Sequence, residues 1–391
     1  MPTPKKNPKK KICFVITAQN QYARSLLILK DLAKRPGVEL QIVVGGSALL
    51  LNYGNVPKLL AEEGLPVTET MQMVIEGGTP LAMGKTAGLA VMEFASAFNR
   101  LTPDIVVIRG DRYEMLSAAM AAAYLNIPIA HLEGGDVTGT IDESVRHAIT
   151  KLAHLHFVTN DDARARIIRM GEPEETVVTT GAPEVEFAAS VSKAPATLEK
   201  LNAAGVGAHI NLDEPFLIVM NHPVTTEYGK NKNNTQALLR AVNDLALQTI
   251  WFWPNIDAGT DEVSEAIRAF RELEDPRPKM RFLKYLPPEH FIALLKKAAC
   301  LAGNSSAGIK EASYLGVPVV NIGSRQEGRL RAKNVLDVPH YDQAAIRDAI
   351  RTQVAKGSYP KSDIYYKKGA SARVADLLVT SNPSVQKRFV D

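Results

Sequence analysis

Cysteine is scarce: Cys13 and Cys300 are the only two in 391 residues, far apart in the chain. A disulfide framework is therefore excluded, and both thiols, set in strand-like apolar runs, are expected buried and reduced, as in a cytoplasmic protein. Aromatic residues make up only 6%. No second basic cluster joins the lysines of KKNPKKK at Lys5 to Lys11, so nucleic-acid binding lacks both its stacking and its charge signature. That run reads as a solvated tail. No apolar run approaches the roughly 18 residues of a membrane span, and ICFVI is too short for a signal-peptide core. Motifs are missing as well: there is no GxxxxGK[ST], no GxGxxG after a strand, no HExxH and no paired CxxC. P-loop hydrolysis, NAD-type binding and a metal centre lose their usual support, so neither a cofactor nor a metal is expected.

What is present is a globular composition, 46% hydrophobic and 23% charged with a net charge of +4. The length exceeds one ordinary core and suits two domains. Short apolar runs alternate with longer runs of helical period: KICFVIT then ARSLLILKDLAKR, VELQIVVGG then TPLAMGKTAGLAVMEFASAFNRL, PDIVVIRGD then RYEMLSAAMAAAYLN. Continuous apolar strands between helices predict parallel sheets covered on both faces, an α/β doubly wound arrangement. The polar segment KAPATLEKLNAAGVGAHINLDEP interrupts the alternation, which restarts at FLIVMNHPVTT. The chain thus divides into a basic tail at 1–11, a Rossmann-like domain at 12–192 and a second, nucleotide-binding Rossmann-like domain at 193–372. A helix and tail at 373–391 are expected to cross back to the first domain. Two such domains face each other across a cleft lined by the carboxyl ends of their strands.

Ionisable residues gather at those strand ends. Asp111 and Arg112 follow IVVIRG, His131 and Glu133 belong to the turn after IPIA, and His222 follows LIVMN. Asn255 and Asp257 follow IWFWP, and Ser305 and Ser306 follow CLAGN. The stretch from His131 to His154 holds four carboxylates, three histidines and three glycines in 24 residues. Thr140 and Glu143 read as a capping box for a helix starting near Ile141. Asp142 and Arg146, one turn apart, share a face, while Val145, Ile149 and Leu152 are expected to pack on the sheet. His147, His154 and His156 read as structural or exposed. In GNSSAGIKEASYLG a strand, a Gly/Ser loop and a helix near Ser306 suit an anion, although serine capping alone would give the same pattern.

Taken together, RGDRYE, HLEGGDVTGTIDESVRHAITKLAH, NHPVTT, FWPNIDAG, GNSSAGIKEASYLGVPVVNIGSRQEGR and NVLDV resemble one family. It is the hydrolysing UDP-N-acetylglucosamine 2-epimerases of sialic- and legionaminic-acid synthesis, and the likeness runs over most of the chain. Non-hydrolysing cousins carry patterns such as HGDT, DSGG.QEE and TERPE instead, which favours the hydrolysing branch. The resemblance implies a GT-B fold, a UDP-sugar substrate, a UDP product, and a homodimer or homotetramer. It implies elimination of UDP from UDP-GlcNAc to 2-acetamidoglucal, then hydration to ManNAc, with UDP-2,4-diacetamido-2,4,6-trideoxyglucose as the alternative substrate. C2–H is not activated by a carbonyl, so its loss needs simultaneous C1–O cleavage, and carboxylates near the ring serve both the proton and the positive charge.

Asp111, Glu133 and Asp142 match the family's three functional acids, with Glu133 and Asp142 expected to move protons at C2 and at water. Arg112, His222, Arg325 and the helix end at Ser305 and Ser306 are expected to hold UDP as positive groups. Glu311 matches a ribose-holding residue and Asn255 a nucleotide-sugar contact, and Arg146 joins this binding set. Gln19 stands where the family carries an arginine toward the phosphates; Arg24, five residues on, falls on the following helix. Two rivals remain at this level. A GT-B glycosyltransferase would not need three acids around C2, and a catalytically weak nucleotide-sugar binder is motivated by Gln19.

Overall fold

The computed structural model describes residues 8–192, 197–272 and 279–390. Seven strands form a first sheet: β1 (Lys10–Ile16), β2 (Val38–Gly45), β3 (Glu69–Met71), β4 (Ile105–Arg109), β5 (Ile129–Leu132), β6 (Leu155–Val158) and β7 (Val177–Thr179). Their spatial order is β3-β2-β1-β4-β5-β6-β7, and every pairing is parallel. A second sheet collects β8 (Val206–Gly207), β9 (Phe216–Met220), β10 (Gln248–Phe252), β11 (Met280–Leu283), β12 (Cys300–Gly303), β13 (Val319–Ile322) and β14 (Val335–Val338). Its order is β14-β13-β12-β9-β10-β11-β8.

The central strands are mostly apolar because helices cover both faces of each sheet, while the edge strands β3 and β14 are partly exposed. Ile12, Phe14 and Ile16 of β1 point into one core, Cys13 and Val15 into the other. Both cysteines are free and buried. The second sheet divides its side chains the same way, Val219 and Trp251 on one face and Ile218 and Ile250 on the other. The final helix, Ala370–Thr380, places Val374, Ala375 and Leu378 in the core of the first sheet, and Asp376 pairs with Arg35 at 2.5 Å. Among the described residues no helix is long and apolar enough to cross a membrane.

Two expectations need correction. The segment read as a polar boundary contains the helix Thr197–Ala203 and β8, which pairs antiparallel with β11. A two-residue strand holding Gly207 carries no period that could announce it. The basic tail also ends earlier than residue 11, since Lys10 and Lys11 belong to β1. Lys10 Nζ donates to the Val379 carbonyl at 3.2 Å and Lys11 Nζ to the Leu101 carbonyl at 3.3 Å, so both lysines cap the ends of neighbouring helices. Residues 1–7, including Lys5 and Lys6, lie outside the described residues.

Each sheet reverses its winding once, between β1 and β4 and between β9 and β12. Open parallel sheets leave a crevice at such a switch point, outside the strand carboxyl ends. The loops after β4, β9 and β12 carry Asp111, His222 and Ser305, and the helix after β1 begins at Gln19. Chain topology alone therefore brings the candidate residues to one place.

Candidate active site

Two adjoining cavities occupy the crevice between the sheets. One is lined by polar groups, with Asp111, Glu133 and Asp142 together in its wall. The other is larger and more apolar; Tyr53, Phe252, Trp253, Tyr285 and Phe291 line it beside Gln19, His222, Asn255, Ser305 and Glu311. Asn20, Arg24, Arg112, Ser306 and Arg325 belong to both walls, so three guanidiniums stand where the cavities meet.

The acid cavity is built by β4, β5 and the helix Ile141–Leu152. That helix starts at Thr140, whose Oγ1 accepts from Asp142 N at 3.3 Å. The expected reciprocal capping box does not form, because Glu143 Oε2 accepts from Thr138 N at 2.6 Å, two residues further back. Val145 and Ile149 bury in the sheet's core as expected, with Leu152 packed against it. Gly139 is required by close approach: a Cβ there would overlap the Ser324 carbonyl oxygen of the facing half.

The three acids have unlike surroundings. Asp111 Oδ2 accepts from Arg146 Nη2; burial would raise its carboxyl, but Arg146 and Arg329 outweigh that and hold it below the usual range. Glu133 is buried at a positive φ of 67°. Its Oε1 accepts from Arg109 Nε at 2.6 Å, its Oε2 from Lys310 Nζ at 2.8 Å, and Arg24 Nη1 lies 3.6 Å away. Against the upward push of burial, Arg109, Lys310 and Arg24 keep its carboxyl well below the usual range. Asp142 is the opposite case. Burial, then Asp111 and Asp257, push it up to about 6, with Arg325 and Arg146 opposing. Of the three, only Asp142 changes charge near neutral pH, as proton-transfer groups must.

Arg146 lines neither cavity. It is buried, its guanidinium spent on Asp111, the Asp136 carbonyl (2.8 Å) and Thr138 Oγ1 (3.2 Å). The helical register had put it on the face of Asp142, but its long side chain turns back into the loop and braces Asp111 instead. His222 is also corrected. Its Nδ1 accepts from Asn255 N at 3.3 Å, and burial with Arg325 nearby pulls the ring down to about 3. His222 is therefore neutral, able to donate one hydrogen bond but not to supply positive charge.

Ser305 caps the helix Ser306–Ile309 by accepting from Ala307 N at 3.3 Å. That helix is only four residues long, so it supplies a weaker dipole than the sequence implied. The cationic groups matter more. Arg112 Nη1 reaches Asp257 Oδ1 of the other half at 3.0 Å, and Arg325 Nη1 donates to the Asn304 carbonyl at 3.1 Å. Asn255 Nδ2 donates to Asp257 Oδ2, which keeps the loop after β10 in place. Asn255 Oδ1 and Glu311 Oε2 are buried at the larger cavity with no partner among the described residues. Burial raises the Glu311 carboxyl against the pull of Arg24. An unpaired buried acceptor of this kind costs about 1–3 kcal/mol, which a ligand hydroxyl would recover.

Arg24 was undervalued in the sequence because it sits inside the helix Gln19–Lys34. Its guanidinium reaches the junction of the cavities and donates to Ser306 Oγ at 2.5 Å. Gln19, at the first turn of the same helix, lines the larger cavity. Arg24, five residues past Gln19, thus brings a guanidinium to the cavity that Gln19 lines.

Comparison with known proteins gives the family. A family model described as UDP-N-acetylglucosamine 2-epimerase matches residues 30–379. The chain belongs to that family. It is 35% identical to the UDP-N,N'-diacetylbacillosamine 2-epimerase (hydrolyzing) of Legionella pneumophila, covering 95% of this chain and 96% of the relative. It is 30% identical to the UDP-N-acetylglucosamine 2-epimerase of Neisseria meningitidis, covering 98% and 99%. A crystal structure of the UDP-GlcNAc 2-epimerase from Neisseria meningitidis bound to UDP-GlcNAc matches with a TM-score of 0.76 at 15% identity, over 95% of this chain and 100% of that one. The expected GT-B fold, two doubly wound α/β sheets facing across a cleft, is the fold of this epimerase family member.

Proposed function

We propose that this epimerase is of the hydrolysing type, releasing UDP from a UDP-2-acetamido sugar and returning the sugar inverted at C2. The observation that carries this reading is the convergence of Asp111, Glu133 and Asp142 on one small cavity that opens at a wall of three arginines onto a larger, aromatic-lined one. A diphosphate joins a nucleoside to a sugar, and the arginine wall joins the two cavities in the same way. The apolar cavity suits the uridine, with Glu311 Oε2 for ribose hydroxyls and Asn255 Oδ1 for another donor of the nucleotide.

In this reading Asp142, ionised, takes the proton from C2 as the C1–O bond breaks. The bonding pair of C1–O leaves on the β-phosphate, and the C2–H pair becomes the C1=C2 bond of the glycal. Arg24, Arg112 and Arg325 stabilise the departing diphosphate. Glu133 and Asp111 remain anionic beside the ring and stabilise the positive charge that develops at C1. Water then adds its oxygen at C1, keeping one proton as the new hydroxyl and giving up the other to solvent. A solvent proton reaches C2 from the opposite face, giving the 2-acetamidomannose configuration, and Asp142 releases the proton it took to solvent. Glu133 thus has a fixed electrostatic role, because both its oxygens are engaged by cations.

Relatives named for UDP-N,N'-diacetylbacillosamine and for UDP-N-acetylglucosamine resemble the chain to similar degrees, so both sugars are tested. Incubated with each, without any acceptor, the protein is expected to liberate UDP and free 2-acetamidomannose or its diacetamido analogue, read by NMR. A sugar that inverts but stays attached to UDP would indicate the non-hydrolysing reaction, and UDP release only with an acceptor a glycosyltransferase.

Arg24 gives a separate check on the phosphate wall. Arg24→Gln keeps the stem and removes the charge, and is expected to weaken UDP binding by about 1.5–3 kcal/mol, one charge-assisted hydrogen bond. Calorimetric titration with UDP measures it; unchanged affinity would take Arg24 out of the phosphate site.

A further inference from the structure

Lys310 is fully buried, and its ammonium crosses from the second half of the chain into the first. It meets Glu133 Oε2 at 2.8 Å, Glu184 Oε1 at 3.2 Å and Asp136 Oδ2 at 3.7 Å, with the Tyr365 ring 5.8 Å away. Arg109, likewise buried, closes the cluster by pairing with Glu133 and Glu184, and Arg329 Nη2 lies 3.2 Å from Asp136 Oδ2. Burying this many charges is costly unless each is paired, and a well-packed apolar group would fill the space at least as stably. A function for the ammonium is therefore worth seeking.

Its place in the chain suggests one. Of the cations around Glu133, Arg109 and Arg24 belong to the first half, so they hold the carboxylate whether or not the halves are closed. Lys310 alone among these three comes from the second half. It stands at the break between the helices Ser306–Ile309 and Glu311–Leu315. Its successor, Glu311, presents an unpaired oxygen at the nucleotide cavity, and Ser306 one turn earlier meets Arg24. Lys310 thus ties the segment that lines this cavity to Glu133. Glu133 itself sits at a positive φ, which a non-glycine residue keeps only when its surroundings hold it there.

We propose that Lys310 is a positioning residue, which sets the Glu133 carboxylate in the acid cavity only when the two halves are closed around the nucleotide. The kinetic consequence rests on the function proposed above; the positioning itself does not. The opposing view is that Lys310 merely balances buried charge.

The double variant Lys310→Met, Glu184→Gln separates the two, since it removes one positive and one negative charge from the same cluster. Compared with Glu184→Gln alone, it is expected to lose at least roughly 30-fold in kcat at saturating substrate, with a smaller loss of UDP affinity, because the contact forms on closure but acts chiefly at the transition state. Equal kcat in the two variants, within about twofold, would overturn the proposal. Carbon-13 NMR of the glutamate carboxyls adds a readout that needs no turnover. In the wild type saturating UDP is expected to move the Glu133 signal and its titration, and in the double variant to leave both in place. A wild-type Glu133 signal that ignores UDP would also overturn the proposal. A wild type that turns over neither sugar but shows the UDP-dependent signal would sink the functional reading and keep the positioning role. Lys310→Gln combined with Glu184→Gln, which keeps an N–H donor and the same charge balance, serves the same comparisons should the methionine double variant unfold.

Discussion

Asp142→Asn is expected to lower kcat by roughly 10²–10⁴-fold with UDP binding intact, because an isosteric amide cannot take a proton from C2. The wild-type rate should fall as pH drops through about 6, where the raised Asp142 carboxyl becomes protonated, and the residual rate of the variant should lack that limb. The stability effect has the opposite sign. A carboxyl whose folded value lies above its unfolded value contributes stability while protonated, and this is lost as pH rises from the unfolded value of 3.8 through about 6. At pH 7 an ionised, half-buried Asp142 burdens the fold by about 1–2 kcal/mol. The inactive variant is therefore expected to melt higher than wild type at pH 7 and equally near pH 3. A variant within tenfold of wild-type kcat, or one that melts lower at pH 7, would remove Asp142 from the proton-transfer role.

The second large effect falls on stability. Arg109→Met is expected to destabilise the protein by about 3–5 kcal/mol, the cost of breaking a buried ion pair from one side. Arg109 is fully buried and bonds Glu133, Glu184 and the Arg24 carbonyl, so truncation leaves two buried carboxylates to share Lys310. Urea denaturation at pH 7 measures the loss. The difference should narrow in acid. Glu133, with its depressed folded value, adds stability above the unfolded carboxylate range and loses it as pH falls, and the variant has less of this to lose. Restoring the charge balance with Glu184→Gln should recover part of the loss. A cost below about 1 kcal/mol would mean that the cluster is solvated, not buried.

These two residues also mark what was and was not legible in the chain. Asp142 was readable: a strand, a glycine-bearing turn and a capped helix announce it locally, and the switch points of the two sheets explain why its partners meet. Arg109 stood out only as a letter of the RGDRYE motif. Its pairing with Glu184, and that of Lys310 with Glu133, join residues 75 and 177 positions apart, and no local period encodes which charge a core will bury. The positive charge expected of His222 and the cavity position expected of Arg146 differ for a related reason. Residue type predicted charge toward the ligand, whereas burial neutralised the histidine and neighbouring acceptors captured the arginine. Arg24 lay hidden because a helix position gives direction only to within the reach of a long side chain. The antiparallel β8 is too short to have a pattern at all.

The central claim is that C2–H and C1–O are broken together in the cavity of Asp111, Glu133 and Asp142, and turnover in D2O tests it most directly. The account predicts that the freed 2-acetamido sugar carries deuterium at C2 in step with the UDP released. UDP release with C2 unlabelled and uninverted, the mark of simple hydrolysis at C1, would contradict it.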